Sequence, residues 1–131
     1  MVDEAALIQA ALDVRRNSYS PYSRFAVGAA LWTVDGSIVA GCNVENGSFP
    51  LSVCAERAAV ATAIGLGHRQ FMAVAIVAGD DPVTPCGGCR QVLLEFGDMD
   101  VICVSARDCH RVSRYRLRDL LPHAFDLEEL R

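Results

Sequence analysis

Phe71-Met72-Ala73-Val74-Ala75-Ile76-Val77-Ala78-Gly79 is the stretch that decides the fold. It is nearly all apolar, which is the pattern of a strand covered on both faces by helices. Before it, the Ala-rich run from about Cys54 to Gly65 has no internal breaker and reads as a helix, with Gly67 as its stop. After it, Thr84 and Pro85 mark a second helix start with Pro in the first turn, and that helix ends near Gly97. Val101 to Ser105 then reads as another buried strand. Further upstream, Ala26 to Val34 is a buried strand, Asp35-Gly36 supplies a hairpin turn, and Ser37 to Asn43 returns as its partner. At the start of the chain, Asp3 caps a helix whose Leu7, Ile8, Ala11 and Leu12 fall at helical spacing. It runs to about Asn17, and Ser20-Pro21 breaks it. Near the other end, His110 to Tyr115 suits a short edge strand and Leu117 to Leu121 a short helix stopped by Pro122.

The middle of this order is strand, helix, strand, helix, strand, which predicts right-handed parallel crossovers with helices packed on the sheet. The hairpin adds antiparallel strands. The fold class expected is therefore α/β: a three-layer arrangement with a mixed sheet of about five strands. At 131 residues, 52% of them apolar, residues 1–131 are expected to form one domain with one ordinary core.

Both predicted helices begin at cysteines. Cys54-Ala55-Glu56 opens one, and Pro85-Cys86-Gly87-Gly88-Cys89 opens the other. Three thiolates suit tetrahedral zinc, and a catalytic zinc site keeps three protein ligands and leaves the fourth position for water. Glu56 lies two residues from the first ligand, placed to carry protons for that water. Helix N-termini favour thiolate, because their unpaired N–H groups and the dipole end are positive. Zinc with three thiolates still carries a net negative charge, so a neighbouring cation is expected. Arg57 and Arg90 each follow a ligand or the motif glutamate, and are placed to donate to the sulfurs. The alternative is a structural zinc site with a fourth protein ligand from Cys42, Cys103, Cys109 or one of the three histidines. His68, His110 and His123 lack the spacing of a ligand pair. Cys42 and Cys103 lie in apolar strands and read as buried small hydrophobes, and Cys109 lies in a polar turn.

Composition excludes several functions. All twelve basic side chains are Arg, and without lysine there is neither Schiff-base chemistry nor a phosphate loop of the kind that needs one. A formal net charge of −4 argues against a general nucleic-acid binder. Arg107, Arg111, Arg114, Arg116 and Arg118 crowd one segment, which reads as a solvated, partly ion-paired surface. No apolar run reaches the roughly 18 residues of a membrane helix, and Asp3 and Glu4 spoil any signal peptide. The expectation is a cytoplasmic protein with reduced thiols.

The chain resembles the cytidine deaminases of the short, three-cysteine, homotetrameric kind. The resemblance is carried by Tyr19-Ser20-Pro21-Tyr22-Ser23, Phe25-Ala26-Val27-Gly28-Ala29-Ala30-Leu31, Gly41-Cys42-Asn43-Val44-Glu45-Asn46 and Cys54-Ala55-Glu56-Arg57. It continues in Pro85-Cys86-Gly87-Gly88-Cys89-Arg90-Gln91 and Leu120-Leu121-Pro122-His123-Ala124-Phe125. It implies a Zn2+ enzyme of pyrimidine salvage that hydrolyses cytidine and deoxycytidine to uridine and deoxyuridine plus ammonia, with Glu56 as acid and base. Attack at C4 of cytosine with a non-ligand Glu is the chemistry of such zinc deaminases. It also implies that Phe25 stacks on the base, that Asn43 and Glu45 hold the ribose hydroxyls, and that Phe125 serves a neighbouring subunit's site. Glu45 would repel a 3′-phosphate, so the partner implied is a free nucleoside, with no nucleic acid and no membrane. Two positions depart from the family pattern, which has Ala and Tyr where this chain has Gly47 and Phe49. The same zinc and glutamate would serve another aminopyrimidine nucleoside, including an antibiotic of the blasticidin type. A catalytically silent zinc scaffold and a nucleic-acid editor are the remaining alternatives.

Overall fold

A computed structural model describes residues 1–130, with side chains described through Glu128. Arg131, the last residue of the acidic tail to which the sequence assigns no function, lies outside them. In chain order the elements are α1 (Glu4–Arg15), β1 (Val27–Thr33), β2 (Ile38–Cys42), α2 (Ala55–Gly65), β3 (Phe71–Ala78), α3 (Gly87–Leu94), β4 (Asp100–Ser105) and β5 (Val112–Arg116). Short 3₁₀ turns occupy Phe49–Leu51, Leu117–Leu120 and Leu127–Leu130.

The strands form one mixed sheet in the order β2-β1-β3-β4-β5, with the deciding apolar stretch at its centre. β1 runs antiparallel to both neighbours, pairing Ala30 with Ala40 on one side and with Ala75 on the other. β2 and β3 therefore point the same way with β1 between them. β4 is parallel to β3, Ala75 opposite Ile102, and β5 closes the far edge antiparallel. Both helical crossovers thus join parallel strands as expected, although the first steps over β1.

β3 alternates its contacts between two cores. Val74 and Ile76 pack with Ala59, Ala63 and Leu93 of α2 and α3. Ala73, Ala75 and Val77 pack with Leu7 and Ala11 of α1. One helix therefore covers one face and two cover the other, which gives the three layers. Close approach of helix to sheet depends on missing side chains. A Cβ on Gly28 would lie 2.0 Å from the Ala11 carbonyl oxygen, and one on Gly41 would lie 2.4 Å from the Ala59 amide nitrogen.

Several boundaries differ from the sequence expectation for local reasons. α1 is capped by Asp3, whose Oδ1 accepts from the Ala6 amide at 3.1 Å, but it ends at Arg15. The amides of Asn17 and Ser18 close tighter turns onto Val14 and Arg15. α3 begins at Gly87 with Cys86 as its N-cap, so Pro85 stands before the cap and outside the first turn. The Cys86 sulfur takes the capping role by accepting from the Cys89 amide at 3.5 Å. Cys103 is buried as expected, whereas Cys42, at the end of edge strand β2, is only half-buried.

The arginine-rich segment is an ion-paired surface. Arg107 meets Asp80, Arg111 meets Asp81, Arg114 meets Glu4, and Arg116 bridges Asp98 at 3.1 Å and Asp100 at 2.9 Å. Among the described residues, no helix is long and apolar enough to cross a membrane.

Gly41→Ala should lower unfolding free energy by about 1–3 kcal/mol or more, the usual range for overpacking against immovable backbone. Gly65→Ala is the matched control, since nothing lies within 4 Å of its added Cβ. Relief of the helical glycine penalty should leave it neutral or more stable by up to about 1 kcal/mol. Urea denaturation of the two variants measures both.

Candidate active site

The starts of α2 and α3 follow the carboxyl ends of β2 and β3, two strands that point the same way. They therefore emerge at one edge of the sheet, where ligand sites of α/β folds collect. Cys54 is the N-cap of α2, Cys86 is the N-cap of α3, and Cys89 lies in the first turn of α3. Their three Sγ atoms lie within 4.8 Å of one another, and Cys54 and Cys86 are separated by 4.0 Å. Tetrahedral zinc with Zn–S bonds of about 2.3 Å needs sulfurs about 3.8 Å apart, so the donor set fits. Among the described residues the group closes at three. None of Cys42, Cys103, Cys109, His68, His110 or His123 joins it, which removes the fourth ligand a structural site would require.

Charge around these sulfurs is managed by the backbone and one arginine. Burial pushes the Cys86 thiol up, but bonds from the Cys89 amide and from the Cys89 and Cys54 side chains outweigh it and leave the thiol below its ordinary value. Cys89 moves the other way, raised by burial first and then by Glu56 and Cys54. Arg57 donates from Nη2 to the Cys54 sulfur at 3.8 Å and to the Ser52 carbonyl at 3.3 Å. That contact with Cys54 holds its own proton more firmly than usual. Arg90 does not do what its position in the sequence suggests. Its guanidinium donates to the Pro85 carbonyl at 2.7 Å, the Leu120 carbonyl at 2.6 Å and Thr84 Oγ1 at 3.0 Å. The α3 helix turns it away from the sulfurs and toward the loop behind them.

Glu56, in the first turn of α2, is 5% exposed. Burial raises its carboxyl above the ordinary value, opposed by the nearby Arg57 charge and the Cys89 side chain. A carboxyl moved toward neutrality is better matched to exchanging protons near pH 7. Cys103 lies within reach of the Glu56 charge, and burial with that charge pushes its thiol up to about 12, consistent with an inert core thiol.

The expected sugar-binding residues are already engaged. Asn43 Oδ1 accepts from the Val27 amide at 2.9 Å and from Ser18 Oγ, while Nδ2 donates to the Phe25 carbonyl at 2.8 Å. One Nδ2 hydrogen remains for a ligand. Glu45 Oε1 accepts from the amides of Tyr22 at 2.9 Å and Ser23 at 3.1 Å, and Oε2 accepts from Ser23 Oγ. These bonds, led by the Ser23 hydroxyl, hold the Glu45 carboxyl below its ordinary value. Glu45 thus fixes the turn that presents Phe25, which is 42% exposed and follows Arg24 at φ 58°. Ser18 and Ser23 were missed from the sequence, where the only signal was a turn-rich connector. Gly47 and Phe49 share one neighbour. A Cβ on Gly47 would lie 3.0 Å from the Tyr22 hydroxyl, and the Phe49 ring meets Tyr22 edge-on with centroids 5.7 Å apart.

Phe125 is not brought to Phe25. It lines a cleft beside α3 with its carbonyl accepting from Gln91 Nε2 at 3.0 Å, whereas Phe25 lines a separate cleft with Arg15, Arg24 and Arg107.

Three clustered thiols beside a buried carboxyl, at paired helix starts on a mixed sheet, define a zinc site of the kind hydrolases carry. Residues 1–105 match the family model for the cytidine and deoxycytidylate deaminase zinc-binding region. A cytidine deaminase from Halalkalibacterium halodurans is 42% identical over 130 residues, covering 98% of each chain. One from Mycobacterium tuberculosis is 49% identical over 114 residues, covering 86% of this chain and 82% of the relative. The crystal structure of cytidine deaminase from Burkholderia pseudomallei superposes with a TM-score of 0.89 at 44% identity, over 95% of this chain and 100% of that one. The chain belongs to the cytidine and deoxycytidylate deaminase family.

The buried carboxyl gives a pH test in metal-free protein. A carboxyl raised in the folded state favours folding fully only below the unfolded pKa, about 4.3, and that contribution is lost as pH rises through the folded value. Glu56→Gln should therefore melt higher than wild type at pH 8 and match it near pH 4. Thermal unfolding across that range reads the difference; parallel curves would exclude it.

Proposed function

We propose that this chain catalyses the hydrolytic deamination of cytidine and deoxycytidine to uridine and deoxyuridine with release of ammonia. The observation that carries the proposal is the set of three Sγ atoms within 4.8 Å, closed at three, with buried Glu56 on the same helix start. The relatives named as cytidine deaminases support the same substrate class. Cys54, Cys86 and Cys89 would hold zinc, which would supply a polarised water for attack on ring C4. Glu56 would take a first proton from that water and pass it to ring N3, then take the second from the hydroxyl formed at C4 and pass it to the departing amine. Arg57 draws negative charge from the Cys54 sulfur. Phe25 offers an exposed ring for the base to stack on, and the remaining Nδ2 hydrogen of Asn43 donates to a sugar hydroxyl. Glu45 stays ionised, accepts from a sugar hydroxyl and disfavours a phosphate there, which selects nucleoside over nucleotide.

Residues 1–131 are taken to act as one zinc domain, and the assembly as a homotetramer in which Phe125 completes a neighbouring subunit's site. In support, Phe49, Leu51 and Phe125 are each more than 60% exposed, apolar surface that a neighbouring subunit would cover. Six free cysteines fit the reducing cytoplasm.

Incubation with cytidine, following the absorbance loss that accompanies uridine formation, tests the class directly. Glu56→Gln should keep its zinc and lose at least the 10²- to 10⁴-fold of a general acid and base. Near-normal turnover in that variant would sink the mechanism. Cys86→Ala should lose metal first, seen as zinc per chain by elemental analysis. Light scattering should return four times the chain mass of 14.1 kDa; a monomer would overturn the shared site.

A further inference from the structure

Arg90 uses three of its donors on three separate acceptors, and none of them is a sulfur. One acceptor is the carbonyl of Pro85, a fully buried residue immediately before the Cys86 cap. That carbonyl lies outside α3, so without Arg90 it would be an orphaned acceptor in the wall of the metal site. A second acceptor is Thr84 Oγ1 in the same loop. The third is the carbonyl of Leu120, thirty residues away, at the end of the 3₁₀ turn that leads into the carboxyl-terminal segment. The next residue of α3, Gln91, donates to the Phe125 carbonyl in that segment.

Leu120 packs against the core at the start of this segment. Leu117 is buried, but beyond it Pro122, His123 and Phe125 are exposed, and the chain passes over a cleft of about 930 Å³ beside α3. His123 adopts φ 56°, a left-handed conformation that local preference does not favour in a non-glycine residue.

We propose that Arg90 is a positioning residue that couples the Thr84-Pro85-Cys86 metal loop to the carboxyl-terminal segment, with Gln91 extending the link to Phe125. Retention of zinc and placement of Phe125 then depend on one turn of α3. The inference rests on the zinc site proposed above, but not on the identity of the substrate. Lysine cannot replace Arg90, because a single ammonium does not present a planar fork to acceptors on different sides.

The test is hydrogen exchange on the zinc-loaded protein, with zinc release to a chelator measured in parallel. Arg90→Lys should speed exchange at least tenfold in both residues 84–89 and residues 121–126, leave the β3 amides unchanged, and release zinc at least tenfold faster. Gln91→Ala should speed exchange in residues 121–126 alone and leave zinc release as it was. If Arg90→Lys loosens only one of the two segments, or loosens β3 equally, the coupling is overturned and Arg90 is a general stabiliser or a local brace. Should that variant fail to fold, Thr84→Val removes one acceptor only. A joint rise in both segments then supports the coupling, and a rise confined to residues 84–89 overturns it. None of these readings uses turnover, so failure of cytidine as substrate and failure of the link are separable.

Discussion

Placing three thiolates and a carboxylate together in a partly buried site is electrostatically unfavourable, and the surrounding architecture works against that constraint. Burial and then the neighbouring negative charges raise the Cys89 thiol, whereas bonds from Cys89 and Cys54 leave the Cys86 thiol lowered. Two helix N-termini, with the Cys89 amide donating to the Cys86 sulfur, and the Arg57 guanidinium supply the compensating positive potential. A divalent cation supplies the rest, so the empty-handed sulfurs and the metal-loaded ones belong to different electrostatic regimes. Parallel strands β2 and β3 bring the two helix starts to one edge, and Gly41 lets α2 approach the sheet closely.

Much of this was legible in the sequence because it depends on short-range patterns. The apolar run at Phe71 to Gly79 is unambiguous, since a strand buried on both faces leaves no alternation to misread. Cys54, Glu56, Cys86 and Cys89 were identifiable from residue type and spacing, and the fold brings the three sulfurs together. What was not legible depends on where long side chains point. Arg90 follows a ligand just as Arg57 follows the glutamate, yet one reaches a sulfur and the other reaches Leu120. Nothing local distinguishes them, because the deciding acceptor comes from a distant part of the chain. The start of α3 was misplaced for a related reason: a cysteine acting as cap competes with the ordinary preference for proline in the first turn.

The residues proposed to hold the sugar illustrate a different limit. Asn43 and Glu45 look like free polar groups in a turn, but each has already satisfied most of its hydrogen-bonding capacity within the protein. Their partners Ser18 and Ser23 lie about twenty residues upstream, in a connector with no periodicity to read. Such engagement fixes both side chains before any ligand arrives. Gly47 and Phe49 belong to the same construction through Tyr22, which ties both departures from the family pattern to one side chain.

The bonds that Glu45 accepts from Tyr22 and Ser23 join two surface loops, and the second of these is tied to the start of α2, where Val44 and Val53 pair through their backbones and the Asn46 amide donates to Ser52 Oγ. A substitution in either loop can therefore re-aim the Phe25 ring and, through Val53, also be felt at the Cys54 end of α2. In evolutionary terms, these loops and the start of α2 are mechanically joined, so a change in one should favour a compensating change in the other.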